Sequence, residues 1–155
     1  MAANPTNEQA QLQLQVYEQR REARLREART WFFVNFHPES LEEAMKFAGP
    51  GTENGALFSM VVSYWEQACA LLNYGLLHED LFFQTSGEFF AIWELVRPIV
   101  PQARQTFINA KYLANMEKAA QRYEAWIESH SPGHVAGMRQ WMKQMRTQTA
   151  ASAKA

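Results

Sequence analysis

The sequence predicts an all-α fold: one domain built as a multi-helix bundle of five to six helices, with a projecting N-terminal helix. Three observations carry this. Seven glycines and six prolines fall in a few clusters along 155 residues, leaving long stretches uninterrupted and too few turns for a β fold. Between the clusters, apolar residues recur at the three- and four-residue spacing of a helix face. Ten Phe, five Trp and five Tyr supply the bulk of a core. A chain of this length can bury most of its apolar surface in one unit without a staple. The domain spans residues 1–155, with about 1–7 and 149–155 expected to be disordered.

The first helix is expected over about residues 6–36. Its first half is rich in Gln, Glu, Arg and Ala, all good helix formers. Leu14, Tyr17, Leu25, Ala28 and Phe32 make an imperfect apolar stripe, and Trp31, Phe32, Phe33 and Val34 turn the C-terminal end strongly apolar. This pattern predicts a helix that projects at its start and docks at its end. A short acidic helix follows Pro38, over about 39–48, with Leu41, Met45 and Phe47 as its apolar positions. Residues 49–55, holding Gly49, Pro50 and Gly51, form a loop.

The most informative stretch runs from residue 56 to residue 74. Ser59, Ser63, Glu66, Ala70 and Asn73 fall at spacings of four, three, four and three, one narrow stripe of a helix. The rest of the circumference is hydrophobic, so this is the central helix. Gly75 fits the left-handed residue that ends it, with Leu76 placed for the accompanying apolar contact. Glu79 and Asp80 suit the first turn of the next helix, expected over about 79–97 and burying Leu81, Phe82, Phe89, Ile92, Trp93 and Val96. Pro98 must kink or end it, and Pro101 opens another over about 101–128 that buries Ile108, Tyr112, Met116, Ala119, Tyr123 and Ile127. After Ser131, Pro132 and Gly133, a last helix is expected over about 134–148.

The chemistry-bearing residues form no catalytic or metal-binding signature. None of His37, His78, His130 and His134 stands three residues after a glutamate, so the Glu-x-x-His pattern of di-iron bundles is missing. Pro132 and Gly133 break the helix that would align His130 with His134. Ser59 and Ser63 have no Gly-x-Ser-x-Gly elbow, and no Gly-rich phosphate loop follows a strand. Cys69, the lone cysteine, sits among Ala68, Ala70 and Leu71 and reads as a small buried hydrophobe. His78, Glu79 and Asp80 read as a helix start. No cofactor and no metal is therefore expected. Glu66 is the exception that calls for explanation, because a buried carboxylate needs a partner. Arg104 is the expected partner, with Arg97 as a rival; alternatively the stripe from Ser59 to Asn73 faces solvent.

Tyr64, Trp65 and Glu66, then Gly75, Leu76, Leu77, Asp80 and Leu81, with Trp93, Pro98, Arg104 and Tyr112 continuing in order and spacing, form a pattern over residues 60–126. In this pattern the chain resembles an uncharacterised bacterial family of small helical proteins, a domain of unknown function. The resemblance implies a helical fold and no particular activity. Members with this pattern often carry an N-terminal membrane helix; here a charged helix stands in its place.

Charge is distributed unevenly. The net charge is −1, yet residues 37–96 hold nine acids and one base, Lys46, while residues 131–155 hold Arg139, Lys143, Arg146 and Lys154 with no acid. Arg20, Arg21, Arg24, Arg26 and Arg29 outnumber Glu18, Glu22 and Glu27 in the first helix. Either the basic ends dock on the acidic middle, within a chain or between copies, or an end helix engages a partner. Val135, Met138, Met142 and Met145 recur at helical spacing beside Trp141, with Arg139 and Lys143 flanking, a Met-rich face suited to a groove. The expected function is thus a non-enzymatic protein–protein interaction or assembly module, an oligomer or accessory subunit whose partner is itself or another protein. The alternative is a peripheral membrane-surface protein that binds anionic lipid through the basic C-terminal helix. An enzyme of unknown class comes third. Nucleic acid is not expected, because glutamates offset most first-helix arginines at i±4. Residues 56–77 are apolar, but Glu66, Gln67 and Asn73 oppose a membrane span, and the start of the chain lacks the layout of a signal peptide, so a cytoplasmic protein is expected.

Overall fold

The computed structural model describes residues 3–155 and is all-helical, with nine helices and no strand among the described residues. They are α1 (Asn7–Arg20), α2 (Ala23–Asn35), α3 (Leu41–Ala48), α4 (Glu53–Asn73), α5 (Glu79–Thr85), α6 (Glu88–Val96), α7 (Val100–Thr106), α8 (Ala114–His130) and α9 (His134–Ala153). The count exceeds the expected five to six because three long helices are each broken once.

The first break lies at Arg21 and Glu22, and the N-terminal helix does not project. Val16 and Leu25 are both buried, yet nine residues at 100° per residue would turn them to opposite sides of one continuous helix. The chain therefore bends, and the Glu22 carboxylate caps α2 by accepting from the N–H groups of Arg24 (3.0 Å) and Leu25 (2.8 Å). Folding back seats α1 on the body. Gln13 is buried and donates from Nε2 to Ser86 Oγ (3.0 Å), and the Tyr64 hydroxyl donates to the Val16 carbonyl. Burial there pushes the Tyr64 phenol up to about 12. The inward face of α1 is thus Gln13 and Val16, while Leu14 and Tyr17, expected in the stripe, stay exposed.

α4 is the central helix, with Val61, Val62, Trp65, Ala68, Cys69 and Leu72 buried. A Cβ on Gly55 would stand 2.1 Å from the Gly49 carbonyl, so only glycine lets the α3–α4 loop cross the first turn of α4. At the other end Gly75 has φ +75°, with Gly75 N–H on Leu72 O (2.9 Å) and Leu76 N–H on Leu71 O (3.0 Å), the two bonds of a glycine-terminated helix. Leu76 itself remains half exposed. The second break, at Ser86 and Gly87, brings Ser86 to Gln13 and lets Tyr123 approach: a Cβ on Gly87 would meet its hydroxyl at 2.9 Å. The third, over residues 107–113, separates α7 from α8. It overturns the expected burial of Ile108, which is 93% exposed, because α7 ends before the helical phase reaches it. The last helix continues five residues beyond the expected 148, through the alanine-rich Ala150, Ala151 and Ala153. No described helix is long and apolar enough to cross a membrane.

Candidate functional site

The segment from Phe107 to Leu113 is the most unusual backbone in the molecule. Ile108 (φ 52°) and Leu113 (φ 53°) are the non-glycine residues at positive φ among the described residues. Ile108 N–H bonds to Gln105 O (3.3 Å) and Asn109 N–H to Arg104 O (3.0 Å), the glycine-type helix ending of α7 made with a β-branched residue. The left-handed region costs an L-residue about 1–2 kcal/mol, and β-branching makes it rarer still. The turn is held by anchors at its base. Arg104 donates from Nε to Tyr112 O (3.0 Å) and from Nη2 to Glu117 Oε2 (2.6 Å).

Glu66 is the other anchor. Its Oε1 accepts from the N–H (3.0 Å) and Nδ2 (3.0 Å) of Asn115, and its Oε2 accepts from the N–H of Met116 (2.8 Å). α8 has Leu113 at its N-cap position and no cap from its own side chains, so a carboxylate on α4 supplies the missing acceptor. The expected Glu66–Arg104 pair is not formed: Glu66 binds the amides that open α8, and Arg104 binds Tyr112 O and Glu117. Arg97 pairs with Glu94 instead (3.2 Å). The α4 stripe divides accordingly. Ser59 and Ser63 are exposed, while Glu66 and Asn73 are half covered by α8, with Asn73 Nδ2 donating to Asn115 O (3.1 Å).

Beside this turn lies a trough along α4. Its apolar end is a cavity of about 200 Å³ walled by Phe36, Leu41, Ala44, Met45, Ile99 and Phe107. Phe58, Ser59 and Tyr112 are shared with an adjoining cavity of about 380 Å³, whose further walls include Ser63, Glu66, Asn109 and Lys111. Burial and the neighbouring Glu66 charge push the Tyr112 phenol up. The hook-like turn thus borders both halves, with Phe107 half exposed and Ile108 pointing clear of them. Sequence reasoning missed it by running one helical phase through residues 101–128. The signal available was the run from Thr106 to Asn109, poor in helix formers and ending in an asparagine.

The Met-rich face of α9 is turned onto its own chain. Val135 is buried, Met138 and Met142 pack on the core and Met145 is half buried, leaving Trp141 and Lys143 outward. Electrostatics explain the docking. Glu128 caps α9 through the N–H groups of Gly133 and Val135 (2.8 Å each), and Arg139 bonds both Glu94 oxygens (2.9 and 3.0 Å) and Glu124. Arg146 pairs with Glu39 (3.0 Å). At the other end of the chain Arg24 pairs with Glu53, and Arg29 bonds Glu88 through Nε (2.6 Å) and Nη2. Four arginines of the basic ends, Arg24, Arg29, Arg139 and Arg146, are therefore paired with the acidic middle of the same chain.

The remaining candidates are structural. His78 caps α5, its Nδ1 accepting from Leu81 N–H (3.3 Å), while Glu79 pairs with Arg122 and Asp80 accepts from Trp126 Nε1. Cys69 is fully buried, and burial pushes its thiol well up. His130 Nδ1 lies 2.7 Å from Trp126 O, and no group of three or more potential metal ligands converges among the described residues.

A family model described as Domain of unknown function (DUF4760) matches residues 5–123. The match begins far upstream of residues 60–126, so α1–α3 are part of the shared unit. Neither a curated protein nor a solved structure matches the chain.

Proposed function

We propose that this chain, which belongs to the family described as Domain of unknown function (DUF4760), is a non-enzymatic protein–protein interaction or assembly module of the cytoplasm, an oligomer or accessory subunit, that docks through the hook between α7 and α8. The observation that carries this reading is Ile108: a β-branched side chain held at φ 52°, 93% exposed, beside a half-exposed Phe107. Backbone strain persists where the surroundings over-determine it, and it concentrates at sites with a task. Here Arg104 and Glu66 hold the base of a turn whose tip presents two apolar side chains to solvent.

The lipid alternative draws less support. Of the four bases in the C-terminal segment, Arg139 and Arg146 are committed to carboxylates, leaving Lys143 and Lys154. The acids on which an enzyme reading rests are engaged in structure, Glu66 at the start of α8, Glu79 with Arg122 and Asp80 with Trp126.

The test compares the full chain with Ile108→Asn, which keeps the left-handed turn and removes the apolar tip. Light scattering should give an oligomer, or native lysate a specific co-purifying protein, for the full chain and neither for the variant. A monomer whose captured proteins are the same with and without Ile108 would refute docking through the hook.

A further inference from the structure

We infer that His37 is a proton-operated latch for the C-terminal end of α9: the neutral imidazole accommodates Arg146 and seats the helix end, and the protonated ring expels that arginine and frees the end. This is independent of docking by the hook, whose residues it does not use.

The tautomer follows from one bond. His37 Nε2 lies 2.9 Å from the Phe33 carbonyl, which can only accept, so Nε2 carries the proton and Nδ1 presents a lone pair. Nδ1 is buried and has no hydrogen-bond partner among the described residues. Arg146 Nε, a donor, is buried and unpartnered as well, and both side chains line one cavity between α3 and the end of α9. Neutral His37 thus brings an unused acceptor to the cavity that holds an unused donor. A second proton can go only to Nδ1, which turns the acceptor into a donor and gives the ring the same charge as the guanidinium.

The other charges around the cavity are committed elsewhere. Glu39, just before α3, is paired with Arg146 Nη1 (3.0 Å). On α3, Glu43 accepts the Glu39 N–H (2.8 Å), and Lys46 is paired with Glu42 (2.8 Å). From α2 comes Asn35, uncharged and donating to Trp31 O (3.0 Å). Burial, and then the Arg146 charge, hold His37 below its usual 6.5.

Arg146 is the side that can move. His37 stays tied to α2 through Phe33, whereas Val135, at its start, is the one fully buried residue of α9. The end of α9 meets the body through Arg146, the half-buried Met145 and the cavity walls Thr149, Ala150 and Ala153. A segment with so few buried contacts opens before the rest, and a short helix end without its partner frays. Its release uncovers Pro38 and Phe47 on the opposite wall. α9 lies beyond the matched residues 5–123 and His37 within them, so the latch joins an added helix to the shared unit.

The experiment follows amide hydrogen exchange of the full chain by NMR between pH 7.5 and pH 5.5, above the ordinary carboxylate range, after correction for the intrinsic pH dependence of exchange. At pH 5.5, about one unit below the free imidazole value, protection of residues 147–150 should have fallen about three- to ten-fold, while α4 holds. His37→Gln, uncharged at every pH, should abolish that fall. Arg146→Gln should lower protection at both pH values and move the His37 ring titration, read from its carbon-bound protons, up toward 6.5. Three results would each overturn the latch: loss of protection in α4 in step with residues 147–150, the same fall in His37→Gln, or an unmoved His37 titration in Arg146→Gln.

Discussion

Removing the Glu66 carboxylate tests the central structural argument, that α4 caps α8 from outside. Glu66→Ala deletes the acceptor for two backbone N–H groups, Asn115 and Met116, and for the Asn115 amide. Losing an N-cap acceptor costs about 0.5–2 kcal/mol, and losing a negative charge at a helix N-terminus another 0.3–1 kcal/mol. The site is half covered, so the sum falls at about 2 kcal/mol. For a domain of this size that lowers the melting temperature by about 4–8 °C. Glu66→Gln keeps one acceptor oxygen and loses the charge, so it should fall about midway. Thermal and urea unfolding by circular dichroism measure both, with Ser63→Ala, one turn away and exposed, as the reference near zero. A double-mutant cycle with Asn115→Ala should show coupling, since the two side chains share a bond. If Glu66→Ala falls within about 0.5 kcal/mol of the parent, or couples to Arg104→Ala as strongly as to Asn115→Ala, the cap is not what holds α8 in place.

The same turn yields a change of opposite sign. Ile108→Gly relieves a left-handed β-branched residue that buries nothing, and should raise stability by about 1 kcal/mol in the same unfolding assay; a loss would mean that Ile108 makes a contact in the folded chain. Arg139→Met leaves the buried Glu94 with only Arg97, which should cost about 2 kcal/mol and expose α9 to limited proteolysis before the rest of the bundle. His37 is held below the usual imidazole value of 6.5, first by burial and further by Arg146. Its neutral form is favoured in the folded state, so its contribution to stability is complete above pH 6.5 and is lost as pH falls through the lower folded value. His37→Phe should therefore flatten the change in melting temperature between pH 7 and pH 5, and an unchanged slope would assign it to other groups.

Much of the helical framework was legible in the residues because it is encoded locally. Gly75 ends α4 in the left-handed conformation that its position implied, Pro101 sits in the first turn of α7, and Ser131, Pro132 and Gly133 separate α8 from α9. The aromatic pattern placed Phe82, Phe89, Ile92, Trp93 and Val96 in the core correctly. Each depends on a backbone preference or a period that a short window contains.

What the sequence by itself determined, then, is the helical class, the central position of α4 and the uneven charge. Tertiary structure decided where the long helices break, which way α9 faces and what Glu66 binds. Residues 6–36 contain good helix formers almost throughout, and over 101–128 the run from Thr106 to Asn109 is the one local sign against a continuous helix. They break because residues far apart in the chain must be buried on faces that a single helix cannot present together, as with Val16 and Leu25. The partner of Glu66 was equally hidden. A carboxylate can be satisfied by a side chain of opposite charge or by the free N–H groups of a helix end, and sequence displays only the first. Once residues 107–113 leave the helix, α8 begins beside Glu66 with its first amides unpaired, and the nearest acceptor takes them.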